Sequence, residues 1–295
     1  MKLFTNLDKD AQAFLRRTAA CRMLEKGEIL YRHREPAIGM AVVVSGQLEA
    51  YRTVKGEHVT VAWLGADEVV GEMGLLAADH ARTASVRAAE RACILEFPDN
   101  PLDLFKSAGR PDIALQLGKN IVAMLADKLR RRTEAGLAPP PKGDAGIRHR
   151  NAWIPTVDFD AIEERLPRKG LFRKAVEVKH LRPGDVLVRQ GEPARGFFFI
   201  HSGELDVTIR QPDGSEKRLD SRHGPTVIGE LGYFSGQPRS ATVAAKGDVE
   251  FTEFSGKDFE ALAAANPEDA LLVLYGAAQV ILQLLYREDD IVPGM

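Results

Sequence analysis

Two cysteines in 295 residues, Cys21 and Cys93, are too few for a disulfide framework. Both are expected as small buried residues in a reducing compartment. No secretory apolar stretch opens the chain at Met1 to Asp8, so the expected location is cytoplasmic. An excess of one charge is also missing. Lys and Arg number 40 against 42 Asp and Glu, giving a formal net charge of −2, and the isoelectric point is near 6.4. Composition therefore gives no electrostatic reason to expect nucleic acid or an anionic membrane as partner. The histidines, His33, His58, His80, His149, His180, His201 and His223, form no pair at metal-ligand spacing. There is no G-x-S-x-G elbow and no P-loop lysine motif. No catalytic constellation results, so the expectation is a non-enzyme without metal or cofactor. Long apolar runs are scarce too. The one candidate, Ala270 to Tyr286, is 17 uncharged residues, against about 20 for a membrane span. It reads as a core or partner-facing helix, with a second copy of the chain, a homodimer, as one expected partner.

What the chain does have, it has twice. Gly71-Glu72-Met73-Gly74 is followed by Arg82-Thr83-Ala84, and Gly229-Glu230-Leu231-Gly232 by Arg239-Ser240-Ala241. Each cassette puts a Glu at the start of a short helical turn and an Arg at the start of a strand. That arrangement suits a small anion carrying a sugar. Backbone N–H groups of the turn face the anion, and a planar guanidinium forks onto phosphate oxygens. The Glu can accept from a sugar hydroxyl. The repeat extends upstream: Leu24 to Leu48 aligns with Leu181 to Leu205, pairing Gly27 with Gly184, Glu35-Pro36 with Glu192-Pro193, and Ser45-Gly46 with Ser202-Gly203. The offset is constant over that stretch, grows by one residue at Gly71 and Gly229, and returns at Arg82 and Arg239. Chance matches do not realign in this way, so the chain reads as a duplication.

On these residues the chain resembles the cyclic-nucleotide-binding domain family, the module of bacterial catabolite-activator-type regulators and of protein kinase A regulatory subunits. The resemblance implies that Glu72 and Glu230 bind a ribose 2′-hydroxyl and that Arg82 and Arg239 bind a cyclic phosphate. It further implies that Gly71, Gly74, Gly229 and Gly232 allow close approach, with Met73, Thr83, Ala84, Leu231, Ser240 and Ala241 around them. The implied ligand is cAMP or cGMP, one per domain; the hydroxyls of Thr83 and Ser240 permit either. The implied output is helix movement read by an effector protein. From helix position alone, Asn120, Met124 and Tyr275 are candidate base contacts.

The expected fold is mainly β with flanking α: two β-jelly-roll (double-stranded β-helix) barrels, each followed by a helix. Apolar runs such as Ala41 to Val44 and Phe197 to Ile200, punctuated by Gly, Pro and Asp, are strand signatures. Ile113, Leu117, Ile121, Leu125 and Leu129 recur at helical spacing, predicting a helix from Asp112 to Thr133. A second helical segment is expected around Phe159 to Phe172, and a terminal one from Pro267 to Arg287. The domains expected are 1–137, a Pro/Gly-rich linker 138–151, and 152–295. Three other functions weigh less. A DNA-binding activator needs a recognition helix, and only Asp289 to Met295 follow the last helix. A nucleotide-cleaving enzyme needs metal ligands or a general base. A ligand-free structural adaptor of the same fold would not need both Glu–Arg cassettes.

Overall fold

A computed structural model of the chain describes residues 1–54, 56–76, 80–134, 177–211 and 213–289. The expected linker 138–151 and the helical segment 159–172 lie outside the described residues. The chain divides into two compact units, Met1–Ile121 and Val122–Met295.

The first unit opens with a 3₁₀ turn, Lys2–Phe4, and helix α1, Lys9–Thr18. Asp8 caps α1 by accepting from the Ala11 N–H at 2.6 Å. Eight strands follow: β1 Ala20–Leu24, β2 Ile29–Tyr31, β3 Met40–Ser45, β4 Leu48–Val54, β5 Glu57–Leu64, β6 Val69–Val70, β7 Ser85–Ala88 and β8 Ala92–Phe97. Helix α2, Glu72–Leu76, separates β6 from β7, and α3, Pro101–Ser107, follows β8. The strands form two antiparallel four-stranded sheets, in the orders β1-β8-β3-β6 and β2-β7-β4-β5. Met40 to Val43 are wholly buried, as a continuous apolar run requires of a strand covered on both faces.

The second unit repeats this plan. Its strands are β9 Val178–Leu181, β10 Val186–Val188, β11 Gly196–Ser202, β12 Glu204–Arg210, β13 Glu216–His223, β14 Thr226–Ile228, β15 Thr242–Ala245 and β16 Val249–Ser255. Helix α5, Glu230–Ser235, stands where α2 stands in the first unit. The sheet orders, β14-β11-β16-β9 and β10-β15-β12-β13, match the first unit strand for strand. Three bulges repeat as well. Those at Ile29/Tyr31, Val43/Ser45 and Ala50/Tyr51 reappear at Val186/Val188, Ile200/Ser202 and Val207/Thr208. Bulges re-aim strands at chosen points, so the duplication reaches into strand curvature. Each unit is a pair of open four-stranded sheets, and the barrels expected from the sequence are not closed.

The helix expected from Asp112 is α4, Pro111–Glu134, and the division between the units falls within it. Asn120 corrects one expectation. Its Nδ2 donates to the carbonyls of Leu3 at 2.8 Å and Thr5 at 2.7 Å. This buried amide fixes the N-terminal segment, and its donors are taken. The cysteines depart from expectation too. Cys21 is exposed, Cys93 is half-buried, and their sulfurs lie 3.3 Å apart across the β1–β8 pair.

After β16 come α6, Gly256–Ala265, closed at its start by a Ser255–Asp258 capping box, and the terminal α7, Pro267–Asp289. Helix α7 packs against α6, α5 and β14. Leu271, Leu274, Ala278, Ile281 and Leu285 are buried on one face; on the other Val280 is buried, and Leu272 and Leu284 are half-buried. Among the described residues no helix is long and apolar enough to cross a membrane.

Candidate functional site

Each cassette sits at the same junction. A strand from one sheet ends in a left-handed glycine, a short helix follows, and the chain then enters a strand of the other sheet. Gly71 has φ +88° and Gly229 has φ +85°, a region open to glycine and strained for other residues. The glycines are needed for space as well. A Cβ on Gly71 would lie 2.6 Å from Arg82 Nη1, and one on Gly229 would run into Arg239 Nη1. Each glycine therefore lets an arginine lie flat against the backbone. Gly74 and Gly232 are buried at the base of the short helices, where a Cβ would press on Ala37 and Ala194 respectively.

In the first unit Arg82 is 7% exposed. Its Nη1 donates to the carbonyls of Gly39 at 2.7 Å and Gly71 at 3.2 Å. Its guanidinium carbon stands 3.6 Å from the centre of the Tyr31 ring, a cation–π contact. Burial pushes the Tyr31 phenol up to about 12, and its hydroxyl has no hydrogen-bond partner among the described residues. Glu72 is buried at the start of α2. Thr83 and Ala84 are half-buried; the Thr83 carbonyl accepts from Arg52 Nε at 2.9 Å, and Ala84 packs on the core of the unit. Met73 is half-buried on α2.

The second unit reproduces this with different supports. Arg239, also 7% exposed, donates from Nη1 to the Gly229 carbonyl at 2.8 Å. The ring facing it belongs to Phe198, 5.4 Å away. The backbone anchors are shared: Arg82 N–H donates to the Glu35 carbonyl at 2.7 Å and Arg239 N–H to the Glu192 carbonyl at 2.9 Å. Glu230 is buried, and burial raises its carboxyl to about 7. Arg222 and then Arg239 pull it back down, as do the backbone N–H groups of Glu230 and Leu231. Leu231 is half-buried, Ser240 exposed and Ala241 buried.

Burial lowers the pKa of both Arg82 and Arg239. Among the described residues neither guanidinium is within ion-pair distance of a carboxylate; their partners are carbonyl oxygens and an aromatic ring. Glu72 acts on Arg82 and Glu230 on Arg239 through space, but a cation held out of water without a contacting counter-charge is costly. Such a group is suited to receive an anion. The structure thus brings Gly71, Glu72 and Arg82 together in one unit and Gly229, Glu230 and Arg239 in the other. It also places Tyr31, Phe198 and Arg222 at these sites, which the cassettes themselves do not announce. The signal for Tyr31 and Phe198 was an aromatic in a strand aligned with a small or branched residue in the other copy, Val188 and Ala41.

Comparison with known proteins agrees with this geometry. The model of the cyclic nucleotide-binding domain matches residues 21–105 and 178–266, more than half of the chain. The cAMP-activated global transcriptional regulator CRP of Salmonella typhimurium is 41% identical over 83 residues, covering 28% of this chain and 40% of that protein. A cAMP-dependent protein kinase regulatory subunit of Blastocladiella emersonii is 33% identical over 88 residues, covering 30% of this chain and 22% of its own. The chain thus spans less than half the length of these relatives. Among solved structures, the regulatory domain of Toxoplasma gondii PKA with cAMP aligns over 90% of this chain and 89% of its own, at 20% identity and a TM-score of 0.35. The chain belongs to the cyclic nucleotide-binding domain family and carries two copies of that domain.

Proposed function

We propose that the protein is a cyclic-nucleotide sensor that binds one cAMP or cGMP in each domain and passes the signal to an effector protein. The observation that carries this reading is the pair of buried arginines, Arg82 and Arg239, whose polar partners are backbone carbonyls. A cyclic phosphate supplies a negative charge in direct contact, with two exocyclic oxygens for a bidentate contact. Glu72 and Glu230, buried beside them, accept from the ribose hydroxyl. Gly71, Gly74, Gly229 and Gly232 keep the backbone out of the ligand's way. Met73, Thr83, Ala84, Leu231, Ser240 and Ala241 complete the two walls.

We assign the first domain to residues 1–137, the linker to 138–151 and the second domain to 152–295. Nothing in this chemistry moves a bond, so the role is regulatory and the ligand is the only small molecule required. Binding becomes a signal only if the ligand prefers one helix arrangement over another. Helices α4 and α7, which follow the two strand pairs, are the elements positioned to respond. A preference of about a hundred- to a thousandfold converts a mostly open population into a mostly closed one.

The test is calorimetric titration of the purified protein with cAMP and with cGMP. Saturable heat and a ligand-dependent rise in melting temperature are expected. No heat and no thermal shift with either nucleotide would leave a structural adaptor as the better account.

A further inference from the structure

Both cysteines of the chain lie in the first domain, and they meet on one face of one strand pair. In the β1–β8 register Cys21 lies opposite Leu95 and Met23 opposite Cys93. Leu24 and Ile94 belong to the core, so strand alternation turns Cys21, Met23, Cys93 and Leu95 to the outer face. Cys21 and Met23 are exposed there, and Cys93 is half-buried. The two cysteines are diagonal neighbours across the pair, with their sulfurs 3.3 Å apart. Among the described residues no third Cys, His, Asp or Glu completes a metal site around them.

The fold does not require these thiols. The second domain builds the same strand pair in the same register, with Val178 opposite Thr252 and His180 opposite Glu250. Val178 and Glu250 therefore stand where Cys21 and Cys93 stand. Packing does not require the thiols either. A cysteine that only fills space is ordinarily buried, and Cys21 is exposed. An accessible thiol beside a second thiol is the arrangement of a reversible oxidation site. We propose that Cys21 and Cys93 form such a site, taking a hydroperoxide as oxidant and closing a disulfide that staples β1 to β8. The proposal is independent of nucleotide binding.

Two thiols and one hydroperoxide balance the reaction. The Cys21 thiolate, open to water, attacks one peroxide oxygen. An S–O bond forms, the O–O bond breaks, and the departing oxygen takes up the proton that Cys21 released, leaving as water or an alcohol. Cys21 is then a sulfenic acid. Cys93 attacks its sulfur, the S–S bond forms, the S–O bond breaks, and the hydroxyl leaves as water with the Cys93 proton. The two sulfurs have lost two electrons, and the peroxide bond has gained them. The hydrogen bond to Cys21 and partial burial push the Cys93 thiol up, which suits the partner that waits as a thiol. Bonded sulfurs are about 2.05 Å apart, so the pair closes from 3.3 Å by about 1.2 Å. The bridge joins residues 72 apart in sequence, so it restrains a long stretch of the unfolded chain.

The experiment starts from the fully reduced, full-length protein, freed of reductant and treated with hydrogen peroxide. Both thiols are expected to disappear together, with the loss of two hydrogen masses, no dimer on a non-reducing gel and a Cys21–Cys93 peptide pair in the digest. The oxidised first domain should melt about 5–15 °C higher. Dithiothreitol should return both thiols and the original melting temperature. Cys93→Ser should stop at a Cys21 sulfenic acid that dimedone traps, and Cys21→Ser should react at least about tenfold more slowly than the parent. The mass and thiol count of the parent decide the matter even if either variant folds poorly. Oxygen added to the parent's thiols without a disulfide, disulfides only between chains, or a Cys21→Ser protein as fast as the parent would overturn the proposal. So would an oxidised domain that melts no higher than the reduced one.

Discussion

The two domains share strand order, bulge positions, cassette glycines and backbone anchors, yet they support the same arginine with different residues. In the first, Tyr31 of β2 lies 3.6 Å from Arg82. In the second, Phe198 of β11 faces Arg239 at 5.4 Å, and the residue aligned with Tyr31 is Val188. The aromatic has changed strands while the guanidinium has kept its place. The position of the charge is kept while the residues that wall it differ.

Removing the arginines breaks the comparison most severely. Arg82→Ala and Arg239→Ala should each eliminate one site, a loss of about 2–5 kcal/mol or more of binding free energy. Melting of the ligand-free variants should change little, because each loses a buried cation that had no ion-pair partner. A large fall in the ligand-free melting temperature would instead mark these arginines as structural.

Gly71→Ala and Gly229→Ala come next. Each adds a Cβ at positive φ against the guanidinium. We expect a loss of about 1–3 kcal/mol of domain stability together with weaker binding at that site alone. Chemical denaturation and titration of each variant check both halves.

A pH experiment sharpens the contrast at the buried glutamate of the second domain. Burial holds the Glu230 carboxyl at about 7, above its ordinary 4.5. Between these values the folded chain binds the proton more readily than the unfolded one, so this group's contribution is full at low pH and is lost as pH rises through 7. Glu230→Gln should remove that slope, leaving the variant more stable than the parent at pH 8 by roughly 1–3 kcal/mol. Denaturation curves at pH 5 and pH 8 decide it; an equal slope in parent and variant would assign the pH dependence elsewhere.

The smallest effect is expected at Tyr31. Its buried hydroxyl lacks a hydrogen-bond partner, so Tyr31→Phe keeps the ring and should stabilise the ligand-free first domain by about 1 kcal/mol. Tyr31→Val, which copies the second domain, should weaken first-site binding by removing the cation–π contact. A destabilising Tyr31→Phe would show that the hydroxyl is satisfied in solution.

Much of this was legible in the sequence, for a physical reason. Residues fixed by backbone geometry or by charge, such as Gly71, Gly229, Arg82 and Arg239, admit few substitutes and so recur in both copies. The strand pairs were legible from apolar runs, though closure into barrels was not, because closure depends on edges that no short pattern encodes. Arg222 was hidden because Glu216–His223 is polar but for Leu219; without the register to β12, nothing says which residues face in. Cys21 and Cys93 meet only through the β1–β8 pairing. Asn120 read as a ligand contact because its two carbonyl partners come from the other end of the domain.

Equilibrium dialysis against labelled cyclic nucleotide, with the protein concentration known, tests the central claim most directly. The account predicts two bound per chain for the parent, one for Arg82→Ala, one for Arg239→Ala and none for the double variant. A parent that binds none, or single variants that still bind two, would contradict it.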